Sequence, residues 1–146
     1  MRIDTVFVSL TRLRVRSWRY FPFFFVQAFR SARQAKSAPG VLSVSLLRDA
    51  RNAFWTRTLG DSEQDMKNFM LAGVHGRVMR RLLEWCDEAA VAHWTQESPE
   101  PPSWEEAHRQ LQQSGRTSKV NHPSEAQRNY HIPAPQIRPR RELRFK

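Results

Sequence analysis

The chain has one cysteine, Cys86, among its 146 residues, so it cannot form an internal disulfide. That excludes a disulfide-stapled secreted scaffold and makes the reducing cytoplasm the expected location. Long apolar runs are missing too. The most apolar stretch, Trp18 to Phe29, covers 12 residues and is broken by Arg19, Pro22 and Gln27, whereas a bilayer span needs about 20. No membrane span is expected. At the N-terminus the apolar run Val6 to Leu10 is flanked by Asp4 and Arg12, too short for a signal peptide.

Metal-ligand spacing is absent. His75, His93, His108, His122, His131 and Cys86 form no Cys-x-x-Cys or His-x-x-x-His pair, so no metal site is expected. The five glycines build neither a phosphate-binding loop nor a Gly-x-Ser-x-Gly elbow, which removes the commonest nucleotide, dinucleotide and hydrolase readings. What is present is ordinary globular composition, 40% hydrophobic and 26% charged. Such a chain can fold around one core. Its net charge of +10 is unevenly placed: residues 116–146 hold eight basic and two acidic residues, or +6, leaving +4 for the rest.

Thr5 to Arg16 alternates with period two, as a strand does. One face carries Phe7, Ser9, Thr11, Leu13 and Val15; the other carries Val6, Val8 and Leu10, then Arg12, Arg14 and Arg16. The change from apolar to basic predicts a strand that leaves the core near Arg12 and runs into solvent. Pro22 suits a helix start, and Phe25, Ala28, Phe29, Ala32 and Ala35 follow at helical spacing until Pro39-Gly40. Val41 to Leu47 and Ala53 to Leu59 read as antiparallel strands joined by a polar turn. Ser62 and Asp65 open a second helix that Gly73 interrupts, and an amphipathic segment runs from Gly76 to Trp85 with Cys86 on its apolar stripe. Ala89 to Thr95 supplies a last strand.

The order strand, helix, strand, strand, helix, strand is the ferredoxin-like α+β plan, a four-stranded antiparallel sheet with helices on one face. The other face needs a cover, and a homodimer is expected to supply it. Three regions are expected: a domain over residues 1–98, a proline-rich linker with a short appended helix over 99–115, and a basic extended or partly disordered tail over 116–146. Ser103 and Glu106 form the capping box of the appended helix.

This order resembles the antibiotic biosynthesis monooxygenase-like superfamily over about residues 4–98. The motifs that carry the likeness are Phe54-Trp55-Thr56-Arg57-Thr58-Leu59, the acidic turn Asp61 to Asp65, Phe69, and Gly73-Val74-His75. The resemblance implies a dimeric α+β barrel with a pocket between sheet and helices in each subunit. It further implies relatives among cofactor-free oxygenases of aromatic polyketides, haem-degrading enzymes, a carotenoid-oxidising enzyme, isomerases, and members of no known function. Two departures stand out. Gly60 replaces a tryptophan common at the end of the third strand, and Phe69 and Met79 occupy the positions where haem-degrading members carry tryptophan and histidine. The second argues against haem degradation by their mechanism.

His75 follows the Gly73 break, where an imidazole can reach a pocket and remove a proton; the plainer reading is a hydrogen-bonded histidine at a helix kink. Phe25 and Phe29, with Phe21, Phe23 and Phe24, make either a pocket wall for a flat ligand or ordinary core. Trp55 and Arg57 share a face as a stacking surface with a cation, or as a dimer interface. His93 and Trp94 face opposite sides of the last strand, so either can line the pocket but not both. Arg12, Arg14 and Arg16 are candidate anion ligands or a solvated strand end. The favoured reading is a small-molecule pocket protein, a cofactor-independent monooxygenase or isomerase for an apolar or aromatic substrate. The alternatives are a non-catalytic dimer that binds an anionic partner weakly through its basic tail, and a haem-binding oxygenase.

Overall fold

A computed structural model describes residues 5–71, 81–137 and 141–145. Strand β1 spans Val6–Val15, helix α1 Phe21–Ser37, β2 Val41–Arg48, β3 Ala53–Gly60, α2 Glu63–Leu71 and β4 Cys86–Gln96. Helix α3 (Trp104–Ser114), β5 (Arg116–Thr117), α4 (Glu125–Arg128) and β6 (Glu142–Arg144) follow. The described residues form one antiparallel sheet in the order β5-β4-β1-β3-β2-β6. Its middle four strands have the ferredoxin-like order. The sheet therefore has six strands rather than the expected four, because two short strands from the C-terminal third extend both edges.

Local chemistry accounts for the elements. Pro22 lies in the first turn of α1, where its missing N–H has no acceptor to serve. Between β2 and β3, Asn52 takes a positive φ of 65° and the Asp49 carboxylate accepts from the backbone N–H groups of Arg51 and Ala53 at 2.8 and 3.2 Å. At the start of α2, Ser62 Oγ accepts from Asp65 N–H and donates to the Asp65 carboxylate, the predicted local cap. Gly40 turns with φ of 78°, and a Cβ there would strike the Asp65 side chain. Gly60 is equally confined: a Cβ would come within 2.9 Å of the Met66 sulfur. The space beside Gly60 is thus taken by a methionine from the neighbouring helix.

One sheet face packs against α1 and helical residues 81–85, with Phe24, Leu46, Phe54 and Trp85 in its core. The opposite face, for which a second copy was the expected cover, lies under the chain's own α3. Trp104, Ala107 and Leu111, together with Ile132, join Leu10, Leu47, Trp55 and Ala90 in one buried cluster. Helix α3 is therefore part of the core and not an appendage, and burial of this face makes no demand for a second copy. Nor is the segment after residue 115 a detached arm. Its β5 pairs with β4, its β6 pairs with β2, and Val120 and Ile132 are buried. Residues 138–140 and 146 of that segment lie outside the described residues.

The last strand starts earlier than the expected Ala89. Cys86 is the first residue of β4, fully buried, and not the end of a helix stripe. Burial, aided by the adjacent Asp87 charge, pushes its thiol up to about 12, so it stays protonated and unreactive at neutral pH.

If α3 is core, truncating its anchor must cost what a core aromatic costs. Trp104→Ala is expected to lower unfolding free energy by about 3 kcal/mol, read by urea denaturation of the full chain. A loss below about 1 kcal/mol, the range of a surface change, would contradict this packing.

Candidate ligand pocket

Strands β1 and β3 set the floor of a cavity. Their register pairs Ser9 with Thr58 and Thr11 with Thr56, and period two turns all four hydroxyl side chains toward α1. Larger aliphatic side chains at these positions would fill the space. Instead a cavity of about 340 Å³ opens there, within the range of small-molecule sites. Its roof is mostly apolar, from Phe24, Ala28, Ala32 and Ala35 of α1 with Ser31 among them, and Met66, Leu82 and Leu83 close other walls.

One end of the cavity is different in character. His93 of β4 lines it together with Arg116, Ser118 and Lys119. The imidazole leans on Phe7, with ring centroids 5.4 Å apart. Although His93 is exposed, the desolvation of its inward edge, and next the nearby Arg116 charge, hold it below its ordinary value of 6.5, against a smaller opposing pull from Glu63. At neutral pH the ring is therefore uncharged and able to accept a proton. Arg116 comes to this end because β5 sets it opposite Val91, which makes His93 its diagonal neighbour on the same face.

The sequence-predicted residues divide between the two faces. Of the adjacent pair on β4, His93 lines the cavity while Trp94 packs on the other side against Val6, Val8 and Leu59. Phe25 packs edge-on against Phe54 at 5.3 Å under the Arg48 guanidinium, and Phe29 meets Phe145 at 5.8 Å. Both aromatics support the helix from outside the cavity lining. Trp55 and Arg57 lie beneath α3, away from the cavity. The Trp55 indole donates to Asp49 at 3.0 Å, and Arg57 sits over the Trp104 ring at 4.2 Å while donating to Pro102 O and Ser45 Oγ. His75 lies outside the described residues. Arg116, Lys119 and the floor hydroxyls were not anticipated. The hydroxyls left a signal, Ser and Thr at consecutive inward positions of two strands; the two cations left none, since nothing local ties the tail to β4.

The basic face of β1 does not run into solvent as expected. Arg12 is only 2% exposed, with its guanidinium 5.6 Å above the Trp55 ring and bonded to Glu88 at 2.6 Å. Arg14 pairs with Asp87 and Arg16 with Glu84, both at 2.6 Å. A register shift between Arg14 and Val15 inserts Asp87 opposite this row, a bulge that presents neighbouring carboxylates to neighbouring arginines. Hydrogen bonds from Asn121 and then Arg16 hold Glu84 below the ordinary carboxylate range, whereas burial raises Asp87. The chain's own acids thus occupy the three candidate anion ligands.

Among the described residues no group of three or more His, Cys, Asp or Glu is placed to hold a metal ion, and no helix is long and apolar enough to cross a membrane. No family model and no curated protein matches the chain. Solved structures do. A Nitrosomonas europaea protein described as a candidate antibiotic biosynthesis monooxygenase is similar over 70% of this chain and 98% of its own, with 12% identity and a TM-score of 0.57. A Pseudomonas aeruginosa protein is similar over 67% of this chain and all of its own (8% identity, TM-score 0.58), and a Mycobacterium tuberculosis protein over 67% and 99% (11%, 0.56). At these identities the likeness is one of fold, and these proteins leave the rest of this chain unmatched.

Two outcomes follow from the charges. Glu88→Ala strands a buried guanidinium and is expected to cost about 3 kcal/mol, whereas the double change Arg12→Met/Glu88→Leu, which removes both charges, should restore most of it; equal losses in chemical denaturation would refute the buried pair. His93 should titrate below 6.5 by NMR. Because the unfolded chain binds this proton more readily, the contribution of His93 to stability is present above 6.5 and falls as pH drops through that value toward the folded one. A midpoint above 6.5 would reverse both statements.

Proposed function

We propose that this chain is a small-molecule pocket protein acting as a cofactor-independent monooxygenase or isomerase on an apolar or aromatic substrate. The supporting observation is the cavity itself: about 340 Å³ between sheet and α1, apolar above, hydroxyl-floored below, with an uncharged imidazole at one end. Such a space suits a flat carbon acid, whose acidic C–H would face His93 while the alanine-rich roof excludes water.

The first step is proton transfer from substrate carbon to the imidazole. The C–H electron pair stays on carbon as an enolate, stabilised by hydrogen bonds from the floor hydroxyls. Returning the proton to a different carbon completes an isomerisation with no net redox change. Dioxygen instead oxidises an activated methylene to a carbonyl: the carbon loses two hydrogens and gains one oxygen atom, and the other oxygen leaves as water. Fold likeness to antibiotic biosynthesis monooxygenase-like proteins agrees with this chemistry but does not choose between its two outcomes.

Both outcomes share the proton transfer, so that step carries the test. With a tricyclic aromatic ketone bearing an acidic methylene, the chain should accelerate exchange of that C–H with deuterated solvent, followed by NMR. His93→Ala should slow the exchange by about a hundredfold while leaving the circular dichroism spectrum unchanged. Unaltered exchange in His93→Ala, or a loss confined to His75→Ala, would overturn the assignment of the base. Oxygen uptake coupled to exchange then distinguishes the monooxygenase from the isomerase.

A further inference from the structure

The cavity is lopsided. Apart from Ser31, its α1 side and helical walls are carbon, while the β4 side of its lining includes the exposed cations Arg116 and Lys119 and the imidazole of His93. Neither cation makes an ion pair or hydrogen bond with another described residue, in contrast to Arg12, Arg14 and Arg16, each of which holds a carboxylate. Yet the backbone that carries them is firmly placed. Ser118 N–H donates to Ala89 O at 2.9 Å, and Asn121 N–H donates to Leu83 O at 2.8 Å. Gln127 bridges the same region: its side chain accepts from Ala89 N–H and donates to Ala89 O and Ser118 O. Val120, just beyond, is buried in the core under α1. The segment 115–121 is thus a strap fixed along β4, carrying two exposed cations that line the cavity and pair with no acid among the described residues.

Two solvent-facing cations in the lining of an otherwise apolar cavity favour one kind of ligand over others. A neutral hydrocarbon would fill the carbon-lined part and leave the cations to water. An apolar molecule with one negative group satisfies both: its body is removed from water, and its anion meets a guanidinium that can bind two oxygens at once, with an ammonium nearby. The low-dielectric walls focus that field at this end of the cavity, and Arg116 already acts on His93 there.

Resting on the pocket reading above, we propose that the natural ligand is an apolar or aromatic organic anion, a carboxylate, sulfonate or phenolate. Its charged group is held by Arg116 and Lys119 of the C-terminal strap and its body lies between α1 and the sheet. The strap is therefore a specificity element for ligand charge, supplied by the C-terminal third of the chain. The anion is placed next to His93, which fixes the orientation in which the ligand enters.

Two fluorescent probes that differ by one group test this: 8-anilinonaphthalene-1-sulfonate and the neutral N-phenyl-1-naphthylamine, titrated against the full chain. The sulfonate should bind about tenfold more tightly than the neutral probe, and the gap should narrow at about 0.5 M salt. In Arg116→Gln/Lys119→Gln the sulfonate should lose about tenfold in affinity, while the neutral probe binds within about twofold of before, which also reports an intact fold. Equal losses for both probes, or no loss for the sulfonate, would overturn the role of the strap. Ala28→Phe, which fills the cavity, should abolish binding of both. If it leaves both unchanged, or if neither probe binds the native chain, the pocket reading itself fails.

Discussion

Trp55 is completely buried and is gripped from three directions. Its indole N–H donates to Asp49 in the β2–β3 turn, the Arg12 guanidinium lies over its ring, and His108 of α3 meets it edge-on with centroids 6.3 Å apart. This arrangement expresses a constraint that organises the whole molecule: both faces of the sheet are apolar and both must leave water. The chain meets it internally. Helix α3 lays Trp104, Ala107 and Leu111 on the second face, and the Trp104 indole donates to Glu142 of β6, the strand that closes the β2 edge. The buried arginines are consequences of the same cover, since Arg12 and Arg57 lie under it and must find carboxylate, carbonyl or aromatic partners there.

With the second face filled, the open space lies on the first. There β1 and β3 carry serine and threonine where core strands usually carry valine or leucine, and α1 carries alanines at the facing positions. Small side chains on both walls leave a cavity, and hydroxyls on one of them give it a polar floor. The C-terminal segment that covers one face therefore also shapes the other. After α3 it turns back along β4, and β5 with the residues just after it brings Arg116 and Lys119 into the cavity lining. One extension serves as core, edge strand and pocket wall.

Much of this fold was legible in the amino-acid sequence because local periodicity carries it. The alternation of β1, the Pro22 start of α1, the Asp49 turn and the Ser62 and Ser103 caps all correspond to observed geometry. What could not be read was long-range. Arg12, Arg14 and Arg16 look like a solvent-facing row until β4 brings Glu88 and Asp87 alongside, partners more than 70 residues away. The third acid, Glu84, lies just before β4 and reaches Arg16. Helix α3 has only three apolar residues and reads as an appendage, yet all three are buried, because helix amphipathicity reports which face packs and not how important the contact is. His93 and Trp94 could be assigned to opposite faces but not to particular ones, since alternation fixes relative orientation only. The cations of the strap, anonymous within a basic tail, acquire meaning through pairing of two residues with β4.

The central claim is that the C-terminal helix of the same chain covers the Trp55 face. Isotope-filtered NMR on an equimolar mixture of labelled and unlabelled full-length chains tests it directly. The account predicts cross-peaks between the ring protons of Trp55 and His108 that arise entirely within single chains. Their absence, or their appearance only between labelled and unlabelled chains, would show that this face is covered from elsewhere and would contradict the account.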